Sequence, residues 1–157
     1  MSHTLNSPAK ASPRPRLPQE RLRRREGEKV KRTILYIDDE AECLNIFQEM
    51  FGDEYDVRTT ATLADARRML AECPADIVIS DQSMPEIKGT DFLAEVAAAY
   101  PPSYRVLLTG SVQLFGVVSE VGAGIVQLFV PKPWMAEDVS KMLARAGAYF
   151  ESGGGGR

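Results

Sequence analysis

A chain of 157 residues with 44% hydrophobic and 26% charged side chains can build one packed domain plus tails, and its composition excludes fibrous and wholly disordered classes. No apolar run nears the roughly 20 residues that cross a bilayer, and the opening residues lack the apolar stretch of a secretory signal, so the cytoplasm is the expected compartment. The net charge of −3 conceals two unlike segments, because residues 1–32 carry ten Lys/Arg against three Asp/Glu whereas residues 33–157 carry nine against nineteen.

Residues 1–32 contain Pro8, Pro13, Pro15 and Pro18, then the basic run Arg21 to Arg25. They have few large apolar side chains, so they cannot bury enough surface to offset the entropy of ordering, and a flexible tail is expected. A weak electrostatic contact with nucleic acid or an acidic partner is the secondary expectation, without base readout.

From Thr33 the pattern becomes short apolar runs alternating with helical periodicity. Ile34 to Ile37 reads as a strand ending in Asp38-Asp39. Leu44, Phe47, Met50 and Phe51 recur at helical spacing and Gly52 closes that helix. Tyr55 to Thr60 reads as the second strand, and Leu63 to Glu72 as a helix stopped by Pro74. Ile77 to Ser80 is the third strand and runs into Asp81. Phe92 to Tyr100 is helical, Arg105 to Leu108 is the fourth strand, and Val112 to Val121 is the fourth helix. Val126 to Val130 is the fifth strand and Ala136 to Phe150 the last helix. Five βα units in alternation imply an α/β domain over residues 33–150, with a mostly parallel sheet covered on both faces. Residues 151–157 are glycine-rich and read as a flexible tail. Cys43 and Cys73 lie far from any C-x-x-C or histidine, which favours buried, reduced thiols over a metal or redox site.

In an open α/β sheet, ligands bind beyond the carboxyl ends of the strands. Asp38 and Asp39 follow the first strand, Asp81 the third, Thr109 the fourth, and Lys132 lies just past the fifth. If the first and third strands are central neighbours, three carboxylates converge, and such a cluster is costly without a cation. Oxygen-only ligation favours a hard ion, with Mg²⁺ the best fit for an open site that retains water. A carboxylate there can attack phosphorus, while the lysine and threonine neutralise phosphoryl oxygens. Taken singly, each residue also has a bland role, as a turn aspartate, a strand-end threonine or a solvated lysine.

These residues sit in ordered motifs. They are Ile34-Leu35-Tyr36-Ile37-Asp38-Asp39-Glu40, Asp81-Gln82-Ser83-Met84-Pro85 with Gly89, Leu107-Leu108-Thr109-Gly110, and Phe129-Val130-Pro131-Lys132-Pro133-Trp134. The set resembles the response-regulator receivers of two-component signalling, over about residues 33–150. Gln82 and the Lys132-Pro133-Trp134 ending resemble the branch found in hydrogenase regulators and regulators linked to HD-GYP phosphodiesterases.

The resemblance implies a flavodoxin-like, doubly wound (βα)5 fold with five parallel strands in the order 2-1-3-4-5. It implies that Asp81 accepts a phosphoryl group from a histidine kinase or phosphotransfer protein. Asp38, Asp39, Asp81 and the backbone carbonyl of Ser83 would hold Mg²⁺, with Asp39 favoured as a direct ligand. Lys132 would contact the phosphoryl group, the Lys132–Pro133 bond would be cis, and Thr109 with Phe129 would form the switch pair. Ser83 and Ser111 would flank the path of the hydrolytic water, and both are small, so no exceptionally long-lived phosphate is expected. Pro131 departs from the common pattern and removes a backbone donor at the end of the fifth strand. The switched surface would be the face made by the fourth predicted helix, the fifth strand and the last helix, with Leu114, Phe115, Val118 and Trp134 meeting a partner, a second copy or an output domain. The chain would not be an enzyme beyond self-catalysed phosphotransfer and autodephosphorylation.

Three other classes compete. A haloacid-dehalogenase-type phosphatase also uses an aspartate and Mg²⁺, but its nucleophile ends the first strand in a D-x-D pattern, and here Asp38 and Asp39 are adjacent. A nucleotide-binding Rossmann module is weak, since Gly122-Ala123-Gly124 lacks the next glycine and follows a helix. A receiver fold that takes no phosphate and serves as a docking module is opposed by the intact acidic residues, Thr109 and Lys132, and stays open.

Overall fold

A computed structural model describes residues 30–110 and 123–155. Its elements in chain order are β1 (Thr33–Ile37), α1 (Ala41–Phe51), β2 (Asp56–Thr60), α2 (Leu63–Glu72) and β3 (Ile77–Asp81), followed by α3 (Gly89–Ala99), β4 (Tyr104–Thr109), β5 (Leu128–Pro131) and α4 (Ala136–Glu151). The fourth predicted helix, over residues 112–121, lies outside the described residues.

The strands form one parallel sheet in the order β2-β1-β3-β4-β5. This is the flavodoxin-like order, and it makes β1 and β3 central neighbours. All residues of β1, β3 and β4 are buried, as expected for strands covered on both faces. Side chains alternate across the sheet. Ile34, Tyr36, Ile77, Ile79, Val106 and Leu108 join one core with Leu44 and Phe47 of α1 and Val139, Met142 and Leu143 of α4. Leu35, Ile37, Val78 and Leu107 join a second core with Leu63 and Leu70 of α2 and Phe92, Leu93 and Val96 of α3.

The start of α2 is set by local chemistry. Thr62 caps α2 by accepting from the Asp65 amide at 3.3 Å, a cap of the preferred residue type. At the far end of the sheet, the buried Arg105 donates to the carbonyls of Ser103 at 2.7 Å, Ile125 at 2.8 Å and Gly124 at 3.0 Å. Its guanidinium thereby ties the segment entering β5 to β4.

Several sequence expectations are corrected. Met50, placed on the apolar stripe of the first helix, is 45% exposed, while Leu44, Phe47 and Phe51 are buried. Cys43 and Cys73 are free thiols, but both are half-buried instead of fully buried. β5 runs from Leu128 to Pro131 instead of Val126 to Val130; Pro131 is its last residue, paired with Thr109, and the Lys132 amide supplies the next ladder bond by donating to the Thr109 carbonyl at 2.8 Å. As β5 is the edge strand, the missing proline donor leaves no central ladder position empty. The described part of the glycine run follows directly on the end of α4. Gly153 and Gly155 adopt φ of 91° and 74°, and the Gly154 amide donates to the Tyr149 carbonyl at 2.8 Å. Only glycine takes such left-handed positions without strain, so residues 152–155 close α4.

Candidate functional site

The site follows from the register of the central strands. Ile37 pairs with Ser80, so the residues that come next, Asp38 and Asp81, emerge side by side at the carboxyl edge. One carboxylate oxygen from each of Asp38, Asp39 and Asp81 lies within 4.8 Å of the others. Asp38 is 0% and Asp81 4% exposed, whereas Asp39 faces solvent. The pocket therefore has two acids fixed in its floor and one at its mouth.

Lys132, directly after β5, reaches across the top of the sheet into this pocket. Its Nζ donates to Asp38 Oδ2 at 2.9 Å and lies 3.3 Å from Asp81 Oδ1. Asp38 also accepts from the Glu40 amide on Oδ1 at 3.0 Å and from the Tyr36 hydroxyl on Oδ2 at 2.6 Å. The electrostatics match this crowding. Burial first, then the charge of Asp38, pushes the Asp81 carboxyl up to about 6, against the opposing pull of Lys132. Burial works against the Lys132 ammonium, but the Asp38 hydrogen bond and the charges of Asp38 and Asp81 outweigh it and raise its pKa.

One ammonium faces three carboxylates, so the pocket leaves about two negative charges uncompensated, the demand a divalent cation meets. The donors are all oxygen. The thiol of Cys43 donates to Glu40, and burial together with that hydrogen bond pushes it up to about 11, so it stays protonated at neutral pH and is a poor soft ligand. The residues present therefore fit a hard divalent ion.

The remaining expected residues are distributed as follows. Thr109 ends β4 fully buried, and its hydroxyl donates to the Gly110 carbonyl at 3.2 Å. Ser83 lies exposed in the β3–α3 connection. Phe129 on β5 is 41% exposed. The Lys132–Pro133 peptide is cis. Trp134 is half-buried against the core of the α1 face, edge-on to Phe47 at 6.1 Å. Ser111, Leu114, Phe115 and Val118 lie outside the described residues.

Three residues that the motifs contain received no role in the site from the sequence. Tyr36 is one; its period-two spacing from Asp38 on a strand was the available signal. Gln82 is the second, since its Oε1 accepts from the Thr90 amide at 2.9 Å and its carbonyl accepts from the Gly89 amide at 3.0 Å. Gly89 itself is the third, because a Cβ there would sit 2.2 Å from the Asp81 carbonyl oxygen. No local pattern announces such a close approach.

Comparison with known proteins agrees with this geometry. The family profile described as the response regulator receiver domain matches residues 34–144. The hydrogenase transcriptional regulatory protein HoxA of Cupriavidus necator is 25% identical over 114 residues, covering 73% of this chain and 24% of that protein. A protein-glutamate methylesterase/protein-glutamine glutaminase of Bradyrhizobium diazoefficiens is 33% identical over 111 residues, covering 68% of this chain and 30% of that protein. The chain thus spans a quarter to a third of the length of these curated relatives. Among solved structures, the signal receiver domain of an HD domain-containing protein from Pseudomonas fluorescens superimposes with a TM-score of 0.72 and 26% identity, covering 78% of this chain and 99% of that one. A profile match over most of the folded residues, on a sheet of the same order with the acids gathered at its carboxyl edge, places this chain in the response regulator receiver domain family.

Proposed function

We propose that the chain is a phosphorylation switch in which Asp81 accepts a phosphoryl group from a histidine kinase or phosphotransfer protein, beside Mg²⁺. The observation that carries this reading is the convergence of three carboxylates within 4.8 Å, with the Lys132 ammonium 3.3 Å from Asp81. Mg²⁺ in this pocket would screen the repulsion between the carboxylate and an incoming phosphate and draw charge from the phosphoryl oxygens. Asp38, Asp39 and Asp81 would supply its side-chain ligands, with the Ser83 carbonyl as the backbone candidate.

The chain's own residues do the rest. An Asp81 carboxylate oxygen attacks phosphorus and forms the acyl–phosphate bond. The bond to the donor's imidazole nitrogen, or to the acetate oxygen of acetyl phosphate, breaks and its electron pair leaves with that group. Lys132 then turns from the carboxylates to a phosphoryl oxygen, and the Thr109 hydroxyl turns from the Gly110 carbonyl to another. Phe129, outward in this structure, fills the space that Thr109 vacates, which changes the β5–α4 surface offered to a partner. Small side chains at Ser83 and Ser111 leave the path of the hydrolytic water open. The curated relatives carry long segments beyond the receiver, so control of an output segment, a second copy or a separate protein target all fit this switch.

The test is incubation of the full chain with Mg²⁺ and acetyl phosphate, followed by intact mass. A gain of one phosphoryl group, lost in Asp81→Asn and on removal of Mg²⁺, is expected. No gain under any condition would leave a receiver fold acting as a constitutive docking module. Steady release of phosphate from generic esters would point to the phosphatase reading instead.

A further inference from the structure

Tyr36 is the one aromatic residue of β1, among Thr33, Ile34, Leu35 and Ile37. It is 0% exposed, so its hydroxyl needs a partner inside the protein. That partner is a pocket acid and not a backbone carbonyl: the hydroxyl donates to Asp38 Oδ2 at 2.6 Å, closer than the Lys132 ammonium at 2.9 Å on the same oxygen. Burial first, then this bond, raises the phenol's pKa well above its ordinary value.

The two donors on Oδ2 have different futures. Lys132 also lies 3.3 Å from Asp81, and it is the residue that turns to the phosphoryl group. Once it does, Asp38 Oδ2 keeps only the tyrosine among the side-chain donors described here, with the Glu40 amide on Oδ1. The ring cannot follow Lys132, because it is packed at 5.0 Å against Phe47, which in turn meets Trp134 edge-on at 6.1 Å. Tyr36 is thus a fixed donor beside a mobile one.

We infer that Tyr36 is a positioning residue for the ion site, its buried hydroxyl holding Asp38 in ligating orientation while Lys132 moves to the phosphoryl group. The inference rests on the reading of the pocket given above. Outer donors of this kind typically change metal affinity by about ten- to a hundredfold when removed. A purely structural tyrosine, satisfied by the nearest acceptor, would alter stability without altering the ion.

The experiment is a calorimetric Mg²⁺ titration of the full chain, of Tyr36→Phe and of Tyr36→Leu, with acetyl phosphate phosphorylation followed as a function of Mg²⁺. The expected result is Mg²⁺ affinity lower by about tenfold in both variants. The half-saturating Mg²⁺ for phosphorylation should rise equally, while the rate at saturating Mg²⁺ stays within about threefold of the unmodified chain, since Asp81 is untouched. Equal losses in Phe and Leu assign the effect to the hydroxyl, because only Leu also loses the ring. The single tryptophan of the chain gives an independent readout: in a Mg²⁺ titration followed by its emission, the midpoint should move to about tenfold higher Mg²⁺ in Tyr36→Phe. Unchanged Mg²⁺ affinity in Tyr36→Phe, with the unmodified chain binding normally, overturns the role of Tyr36 alone. Failure of the unmodified chain to bind Mg²⁺ or take phosphate overturns the phosphorylation reading, and this inference with it.

Discussion

Asp81 is held in a place that disfavours its own charge. It is 4% exposed and shares the pocket with Asp38, and its carboxyl titrates at about 6 rather than at the ordinary 3.8. The folded state thus binds this proton more tightly than the unfolded chain does. Asp81 adds stability below the unfolded value, and that contribution is lost as pH rises through about 6, at a total of about 2–3 kcal/mol. Asp81→Asn removes the titration, so without Mg²⁺ the variant should be more stable than the parent at pH 7 by about 1–3 kcal/mol, and nearly equal to it at pH 4. Urea denaturation at the two pH values checks this, and a variant less stable at pH 7 would refute it. At the same scale, Asp38, Asp39, Asp81, Thr109 and Lys132 were legible because each is polar and ends an apolar run. Tyr36 was not, because a tyrosine inside a strand reads as core until the strand's parity puts its hydroxyl beside Asp38.

Among the elements, the β3–α3 connection does most to set the geometry of the site. Its sequence signals misplace the start of α3, which begins at Gly89 and not at Phe92, the first strongly apolar position. The reason is non-local: the first turn is closed by Gln82, seven residues upstream of Gly89, whose side chain accepts from the Thr90 amide. The glycine lets the helix end rest on the backbone of Asp81, where a Cβ would meet the carbonyl oxygen at 2.2 Å and the Gln82 Cα at 2.9 Å. Backbone cannot yield as a flexible side chain does, so Gly89→Ala must push α3 or Asp81 aside. The expected cost is about 1–3 kcal/mol of stability, with phosphorylation by acetyl phosphate slowed by about 10- to 100-fold as the attacking oxygen moves. Parental stability together with a parental phosphorylation rate would show that the contact is slack.

For the whole molecule, the sheet order decides whether there is a site at all. Alternating apolar strands gave the parallel α/β class, but periodicity is indifferent to which strands touch; the order β2-β1-β3-β4-β5 was available only from the motif resemblance. With β1 beside β3, folding itself assembles three carboxylates, and the domain carries their repulsion in the metal-free state with one lysine to offset it. An ion held in this pocket would be linked to folding, because the unfolded chain spreads these acids far apart and has no comparable site. At Mg²⁺ ten times its dissociation constant, the linkage is worth about 1.4 kcal/mol, which for a domain of this size raises the melting temperature by about 3–6 °C. Calcium or a monovalent salt at equal ionic strength separates specific binding from screening of the acidic surface. Asp39→Asn should lose most of the Mg²⁺-specific rise, because Asp39 is the exposed, pocket-mouth acid and its charge is not already engaged by Lys132. An equal rise in the parent, in Asp39→Asn and in Asp81→Asn would mean that Mg²⁺ acts elsewhere on the surface, and the pocket would lose its claim to the ion.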